Sequence, residues 1–506
     1  MDSPVVSAAE MRAAEEAAFV RGVEVEALMD QAGAGVARAV QQFFPCAGAC
    51  IVYAGKGHNG GDALVAAERL QREGWRIDVR LPFPEGDCSE LTRKKLAALR
   101  NARRDELPLV HGGAEARPSN HGRVGRTIIL DGLLGVGTKS FLREPIRATA
   151  RELNRARVEQ NAFVFAVDLP TGFNSDTGEI DPDSVVADFT VTIGFAKHGL
   201  VADAAIDFVG RMVVLLLPDL EVGGARNEIM ATTQALAGLA PRRKFSAYKN
   251  QFGRIAVVAG SKGFVGAALM TALGALRTGA GLVELFVPED IYEIVATAAP
   301  PEVMVKATRA YRDLPDDRAD VWAVGPGLGN ANAARLRDFI ARVAKPMVVD
   351  ADGLNILAEE IEMLKRCRGP RLLTPHPGEM QRLVASGKMA RAGLARSFCE
   401  QFPVTLLLKG SRTIVAQRDR PLSFNSTGNP GMATGGMGDV LTGVCAGLIG
   451  QGLSLYDAAR VGAWLCGRSA EIAIFEGSAS EQSLLPSDVL DNLGRAFLDL
   501  EIGSTL

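Results

Sequence analysis

The chain repeats one pattern of apolar and polar positions along most of its length. A short run of Val, Ile, Leu and Ala leads into a turn that contains Gly or Asp, and apolar positions at helical spacing follow. Strands that are apolar at every position are typical of sheets buried on both faces, which are mostly parallel. The pattern therefore predicts an α/β fold in which parallel sheets lie between layers of helices.

The predicted strands fall into two groups. They lie at 51–55, 127–131, 163–168 and 189–194 in the first half, and at 255–260, 321–325, 347–350, 372–374 and 406–409 in the second. A further strand over 212–217 ends at Pro218, and a Gly-containing stretch and a basic cluster follow. We therefore predict two doubly wound domains, 1–220 and 241–506, joined by a linker at 221–240. Ser7 and Glu10 have the spacing of a capping box, which predicts the start of a helix.

Length, charge and cysteine content restrict the class of protein. At 506 residues the chain is longer than one hydrophobic core usually serves, and its net charge of −3 gives no electrostatic reason to expect nucleic acid or an anionic membrane as a partner. The cysteines are scattered, and no segment reads as a signal peptide or a membrane span. These features predict a reduced, cytoplasmic location. The Ala- and Gly-rich stretch 28–40 suits close packing against a second subunit, so we expect a homo-oligomer.

The most informative stretch is a glycine-rich turn at 431–438 that leads into Asp439 and an apolar helical pattern. Glycines allow consecutive backbone N–H groups to curl around an anion, and the start of a helix adds its positive dipole end. An acid beside a phosphate repels it, but is well placed to take a proton from a hydroxyl that attacks phosphorus. The alternative is a helix cap with a dipole-stabilising Asp. We interpret Asp439 as the catalytic base of a phosphoryl transfer.

Other turns of the second half should converge on the same edge of the sheet. They are 325–329, 350–355, 374–379 and 409–413. The last of these offers cations and hydroxyls suited to a nucleotide. There is no GxxxxGK[ST] sequence, so a P-loop is excluded. His376, held between two prolines, favours contact with a ligand, whereas Asp350 and Asp352 are equally suited to holding Mg²⁺ or to capping the following helix.

The motifs of 241–506 resemble, in order, those of the ADP-dependent NAD(P)H-hydrate dehydratase family, which has a ribokinase-like fold. They are 260–267, 279–283, 301–304, 325–329, 350–355, 373–380 and 428–439. The resemblance implies that Ala267, Gly327, His376 and Asp439 contact the hydrated nicotinamide nucleotide. It also implies Mg²⁺ with ADP, and adenine-nucleotide contacts at Lys409, Gly410, Ser411, Arg412, Thr413 and Gly438.

The first half carries glycines and acids at three predicted strand ends. The segment 55–62 contains a GxGxxG, but the next strand ends in Pro-Phe-Pro and not in a ribose-binding acid, so a classical dinucleotide site is weakly supported. The segments 131–138 and 168–172 end two more strands. Ordinary tight turns would explain any one of them. All three together favour a phosphate site with carboxylates beside it.

Together with motifs at 10–12, 28–33 and 176–178, these turns resemble the NAD(P)H-hydrate epimerase family across about 1–215. The resemblance implies potassium ligands at Asn59, Asp131 and Thr171, whose oxygens suit a weakly bound alkali cation. It implies substrate contacts at His58, Asn59, Gly60, Gly61, Asp62, Gly135, Val136, Gly137, Thr138, Lys139, Ser140, Phe141 and Asp168. We expect Asp168 to handle the proton during epimerisation, with Lys197 as a second candidate.

The two resemblances together predict a bifunctional enzyme that repairs hydrated NADH and NADPH. One half interconverts the R and S hydrates, and the other dehydrates the S form with ADP, releasing AMP and phosphate. The fusion in this order resembles the bacterial arrangement, which implies ADP. The alternative is a ribokinase-like kinase for a small molecule such as a vitamin precursor. In a third interpretation the first half is a non-catalytic binding or oligomerisation module.

Overall fold

The computed structural model describes residues 3–102, 125–137, 141–309, 311, 314, 316–384, 387 and 389–503. The chain forms two compact units that divide between Ala225 and Arg226. We refer to them as the first and the second unit. No helix in the described part of the chain is long and apolar enough to cross a membrane.

The first unit alternates strands and helices. Its strands are β1 Ser3–Val6, β2 Ala49–Ala54, β3 Arg76–Arg80, β4 Thr127–Gly132, β5 Phe163–Val167, β6 Phe189–Ile193, β7 Ala196–Lys197 and β8 Arg211–Leu215. Its helices are α1 Ala8–Val20, α2 Val25–Phe43, α3 His58–Arg72, α4 Glu90–Ala102, α5 Ile146–Glu159 and α6 Ile206–Val209.

Six of these strands form a parallel sheet in the order β3-β2-β4-β5-β6-β8. The buried strand residues Ile129 and Val164 pack with Leu153 of α5 in its core. The chain runs outward in opposite directions from β2 and β4, so the switch point of the sheet lies between these two strands. Open α/β sheets bind ligands at the carboxyl ends of the strands at such a point. The predicted turn 55–62 and residues 131–137 of the predicted turn 131–138 are located there.

The second unit contains the remaining elements. Its strands are β9 Glu228–Ala231, β10 Arg254–Val258, β11 Leu282–Pro288, β12 Val303–Thr308, β13 Val321–Val324, β14 Met347–Val349, β15 Arg371–Leu373, β16 Thr405–Leu408, β17 Ile414–Gln417 and β18 Leu422–Asn425. Its helices are α7 Thr233–Leu236, α8 Val265–Arg277, α9 Tyr292–Ala298, α10 Ala333–Arg342, α11 Asp352–Ala358, α12 Pro377–Leu383, α13 Arg391–Gln401, α14 Met437–Gly450, α15 Leu455–Glu471 and α16 Pro486–Ile502.

The sheet of the second unit has the order β12-β11-β10-β13-β14-β15-β16-β17-β18-β9. Its strands are parallel from β12 to β16, whereas β17 is antiparallel to both of its neighbours. The switch point lies between β10 and β13. The most apolar helix, α14, is buried almost throughout and packs with α8 in the core of this unit. The first turn of α14 lies at the carboxyl ends of the parallel strands, where Gly438 approaches Asp350 and Lys409.

The prediction of two doubly wound α/β domains is confirmed. The stretch 221–240 differs from the linker that we predicted, since it contains β9 and α7. Strand β9 pairs in parallel with β18, and Ile229, Met230 and Ala231 are buried there. These apolar residues are therefore part of the second core.

Two candidate active sites

The switch-point loops of the second unit are joined by hydrogen bonds. The Gly260 N–H donates to the Pro326 carbonyl at 2.8 Å, and the Ser261 hydroxyl donates to the Gly327 carbonyl at 2.7 Å. Gly327 has a φ of 63°, and an added Cβ would lie 3.1 Å from the Cβ of Ala267. The structure thus brings Ala267 and Gly327, two of the predicted substrate contacts, side by side at the switch point.

A buried charged cluster lies further along the same sheet edge. The Lys409 Nζ is 2.7 Å from Asp350 Oδ1 and 3.7 Å from Glu379 Oε2. The Thr442 hydroxyl of α14 donates to the other oxygen of Asp350 at 2.7 Å. Burial opposes a charge on Lys409, but attraction to Asp350 and Glu379 outweighs it and raises the lysine pKa. The lysine therefore stays positively charged, and both oxygens of Asp350 are engaged.

Asp439 lies beside this cluster in the first turn of α14. The helix begins after Gly436, whose φ of 94° is a left-handed conformation that favours glycine. The pKa of Asp439 is raised to about 6, mainly by burial and by the neighbouring carboxylate of Asp350. The carboxylates of Glu379 and Asp352 raise it by smaller amounts, whereas the positive charge of Lys409 lowers it. The predicted base is thus a half-buried acid whose pKa is near neutrality.

His376 is the N-cap of α12. Its Nδ1 accepts hydrogen bonds from the N–H groups of Gly378 at 3.0 Å and Glu379 at 3.3 Å, and Glu379 Oε2 accepts from the His376 N–H at 2.8 Å. Half of the His376 side chain remains exposed at 51%. The residue therefore caps a helix and also presents the rest of its ring to solvent.

The predicted nucleotide loop 409–413 is fixed at both ends. The Lys409 N–H donates to the Pro375 carbonyl at 2.8 Å. Arg391 of α13 donates to the carbonyls of Ser411 at 3.1 Å and Arg412 at 3.2 Å. A Cβ on Gly438 would lie 3.1 Å from the Lys409 Nζ, so this glycine of α14 closely approaches the loop. Gly410, Ser411, Arg412 and Thr413 thus share one turn next to the charged cluster.

Sequence reasoning missed Thr442 and Arg391. Thr442 is three residues after Asp439, and this helical spacing places it on the same face of α14, which is a signal that the sequence contains. Arg391 reaches a loop twenty residues away in the chain, and no local pattern marks it.

The acids of the 350–355 turn are occupied by protein groups. Asp352 accepts a hydrogen bond from the Gly329 N–H at 2.8 Å. Within the described ranges, no three His, Cys, Asp or Glu side chains form a cluster that could hold a metal ion. Mg²⁺ that arrives with nucleotide phosphates needs only one or two protein carboxylates. The described residues therefore suit a Mg²⁺ that is held mainly by the nucleotide phosphates.

In the first unit, the 55–62 turn requires its glycines. A Cβ on Gly60 would lie 2.0 Å from the Gly55 carbonyl oxygen, and the Gly55 N–H donates to the Gly132 carbonyl at 3.0 Å. The Asn59 amide donates to the Leu134 carbonyl at 2.9 Å, which joins this turn to the next one. The structure therefore brings the turns after β2 and β4 together at the switch point.

Asp131 and Thr171 form a buried pair beneath these turns. Both are fully buried, and Asp131 accepts hydrogen bonds from the Thr171 hydroxyl at 2.7 Å, the Thr171 N–H at 2.8 Å and the Leu133 N–H at 3.3 Å. Burial raises the pKa of Asp131 to about 6 against the effect of these hydrogen bonds. The groups that donate these hydrogen bonds to Asp131 are all neutral.

Asp168 and Lys197 form a second buried pair. Asp168 has a φ of 66°, which is strained for a residue other than glycine. Its Oδ1 accepts from the ammonium of Lys197, from the Ile193 N–H at 3.1 Å and from the Thr192 hydroxyl at 3.4 Å. Lys197 is fully buried. The carboxylate of Asp168 is therefore held in place by the Lys197 ammonium and the backbone N–H of Ile193.

Two further carboxylates face this pair. Burial and the charge of Asp168 raise the pKa of Asp62 on α3 and of Glu15 on α1. Asp62 is in the predicted substrate set, whereas Glu15 was not predicted. Met11, one turn before Glu15, packs on Gly194 next to β6, and this contact explains how α1 reaches the site.

The remaining predicted contacts are His58 and residues 135–141, of which the structure describes 135–137 and 141. Gly135 packs against the side chain of Asn59, and Phe141 is 73% exposed. Val136 and Gly137 follow Gly135 in the same turn, and His58 begins α3 opposite it. Thr138, Lys139 and Ser140 lie outside the described residues.

Two family models match this chain, one in each unit. A family model described as NAD(P)H-hydrate dehydratase matches residues 255–493, and one described as YjeF-related protein N-terminus matches residues 25–199. The ADP/ATP-dependent NAD(P)H-hydrate dehydratase from Bacillus subtilis, co-crystallised with ATP/Mg²⁺, is 28% identical, with a TM-score of 0.49, over 55% of this chain and 100% of its own.

Full-length relatives carry both units on one chain. The bifunctional NAD(P)H-hydrate repair enzyme of Moorella thermoacetica is 34% identical over 94% of this chain and 92% of its own. The enzyme of the same name from Escherichia coli K12 is 32% identical over 96% and 92%. Because such relatives match nearly the whole length of both units, this chain belongs to the family of bifunctional NAD(P)H-hydrate repair enzymes.

Proposed function

We propose that the two units repair hydrated NADH and NADPH in succession. The first unit interconverts the R and S hydrates, and the second dehydrates the S form with ADP. The observation that carries the second activity is the position of Asp439, a carboxyl with a pKa of about 6, in the first turn of α14 beside the charged cluster around Lys409. A general base works best when its pKa lies near the operating pH.

The chemistry solves a leaving-group problem. Hydration leaves a hydroxyl at C6 of the nicotinamide ring, and hydroxide departs poorly. Asp439 takes the proton of this hydroxyl as its oxygen attacks the β-phosphorus of ADP, and AMP leaves. The C6–O bond then breaks as the lone pair of the ring nitrogen forms a double bond to C6. Loss of a proton from C5 restores the reduced ring, and phosphate is released.

The rest of the second site positions and neutralises charge. Lys409 is held by Asp350 and Glu379 close to Gly438, so its ammonium is fixed next to the start of α14. Hydrogen-bond donors of the loop 410–413 would bind the nucleotide, and Arg391 holds this loop in place. Mg²⁺ bound with the nucleotide would stabilise charge on the transferring phosphoryl group.

In the first unit, Asp168 is the proposed proton-handling group. Its strained backbone and its contact with Lys197 fix its carboxylate at the end of β5, and Asp62 and Glu15 supply neighbouring acids. Potassium held by Asn59, Asp131 and Thr171 would organise the two switch-point turns around a substrate phosphate. Small-molecule substrates of this kind require neither nucleic acid nor a membrane.

The products distinguish this proposal from the kinase alternative, which the family assignment supports less. A mixture of purified protein, S hydrate, Mg²⁺ and ADP should yield equal amounts of AMP, phosphate and reduced nicotinamide. The reduced nicotinamide is measured by its absorbance. A kinase would instead accumulate a stable phosphorylated product. Comparing ADP with ATP in the same assay tests the predicted preference for ADP.

Racemic hydrate tests the first unit. An active epimerase lets the reaction consume both epimers, whereas a non-catalytic module would stop it at half. A stop at half with unchanged turnover of the S form would contradict the epimerase assignment alone.

A further inference from the structure

A cleft of about 460 Å³ lies at the carboxyl ends of β11 and β12. It is lined by Pro288, Glu289, Asp290, Thr308, Arg309, Tyr311 and Asn332. Its β11 side is in contact with the switch point, because a Cβ on Gly260 would lie 3.4 Å from Ile291, the residue after Asp290. Asn332 follows the same loop that contains Gly327. The cleft is therefore a continuation of the second site.

The order of strands in the sheet places this cleft on the side of the switch point where the second half of a dinucleotide substrate would lie. Asp350 and Lys409 follow β14 and β16, on one flank of the switch point, where we place the adenine nucleotide. Strands β11 and β12 lie on the opposite flank. A substrate whose ring lies against Ala267 and Gly327 at the switch point extends its other half in that direction. Two strand spacings amount to roughly 10 Å, a distance that the diphosphate of a dinucleotide can span.

The charges of the cleft suit hydroxyls better than phosphate. Glu289 and Arg309 form a bidentate ion pair, with distances of 2.8 and 2.9 Å, which neutralises both side chains. Among the described residues, Asp290 has no cation within ion-pair distance. A carboxylate at a strand end accepts hydrogen bonds from the 2′-hydroxyl of a ribose, whereas it repels a 2′-phosphate.

We infer that this cleft binds the adenosine end of the hydrated dinucleotide, and that Asp290 and Glu289 favour hydrated NADH over hydrated NADPH. The inference rests on the proposed dehydration. It adds residues that determine which of the two damaged cofactors is repaired faster.

The test is the ratio of kcat/KM for S NADH-hydrate to kcat/KM for S NADPH-hydrate. One unbalanced charge near an exposed phosphate should give the wild type a ratio of about five. Asp290→Asn should bring the ratio close to one. Glu289→Gln should release Arg309 to bind the 2′-phosphate of hydrated NADPH. The ratio should therefore be lower in Glu289→Gln than in Asp290→Asn. Glu293→Gln, which removes a carboxylate of α9 outside the cleft, should leave it unchanged.

A truncated substrate separates binding in the cleft from effects on the chemistry. Hydrated reduced nicotinamide mononucleotide lacks the adenosine end, so Asp290→Asn should turn it over at the wild-type rate. The proposed subsite would be overturned if Asp290→Asn left the kcat/KM ratio of the two dinucleotides unchanged. It would also be overturned if Asp290→Asn lowered kcat/KM for the mononucleotide as much as for hydrated NADH. A wild type that dehydrates neither dinucleotide would instead contradict the proposed function.

Discussion

Replacing Asp439 by asparagine should abolish dehydration and at the same time stabilise the second unit. Burial and the neighbouring carboxylates raise the pKa of Asp439 from its ordinary value of 3.8 to about 6. This difference corresponds to about 3 kcal/mol by which the fold disfavours the charged form. Asparagine has the same shape and no charge, so it removes this cost.

The sign of the effect depends on pH. The folded state holds the proton of Asp439 more tightly than the unfolded state does. The stability from this group is therefore fully present below pH 3.8 and is lost as the pH rises through about 6. At pH 8 the asparagine variant should be more stable than the wild type by up to about 3 kcal/mol. Near pH 4 the two proteins should be almost equal.

Thermal and urea unfolding at pH 4 and pH 8 measure this difference. For a unit of this size the gain at pH 8 corresponds to a rise in Tm on the order of 5 °C. Asp338→Asn, a matched change at an α10 side chain that is 68% exposed, should alter neither value. A variant at position 439 that is less stable at pH 8, or equally stabilised at both pH values, would refute the assignment of the raised pKa.

Four further predictions concern activity. The rate of dehydration should decrease when the pH is lowered below about 6, because Asp439 is then protonated. Asp350→Asn removes a carboxylate that raises the pKa of Asp439, so in a kcat/KM profile the decrease should occur at lower pH. Asp168→Asn should lower R-to-S conversion at least about a hundredfold with dehydration of S hydrate unchanged. Because this change removes the carboxylate that pairs with the buried Lys197, the Asp168→Asn/Lys197→Met double variant should be as inactive but better folded by urea titration. Thr171→Val should raise the K⁺ concentration for half-maximal epimerase activity in a KCl titration, and identical titration curves would contradict the proposed cation site. Arg391→Met should raise KM for ADP severalfold with little change in kcat, since the loop it holds binds the nucleotide; an unaltered KM would exclude that role.

Local patterns predicted many of the strands and the start of the first helix, although β1, β7, β11 and β12 were not predicted. The buried strand Phe163–Val167 and its neighbours are apolar at nearly every position, which is the pattern of a parallel sheet covered on both faces. The capping box was equally readable, since the Ser7 hydroxyl accepts from the Glu10 N–H at 3.2 Å and the Glu10 carboxylate accepts from the Ser7 N–H at 2.8 Å. Both signals depend only on residues close together in the chain.

Contacts between distant residues were not predictable in this way. Strand β9 was read as a linker because its partner, β18, lies about 190 residues further along the chain. The antiparallel strands β17 and β18 went unrecognised because they are short and flanked by turn residues. In the sites, glycine turns and strand-end acids were visible in the sequence. The raised pKa values of Asp62 and Glu15 depend on burial, which only the folded chain supplies.

The cap that His376 forms on α12 fixes the tautomer of its ring. Because Nδ1 accepts from two backbone N–H groups, the ring hydrogen must sit on Nε2. The Nε2 that carries this hydrogen lies 3.4 Å from Oε1 of Glu379, so the hydrogen points toward a carboxylate of the same helix. A ligand atom that takes over this contact must therefore offer a lone pair to the ring.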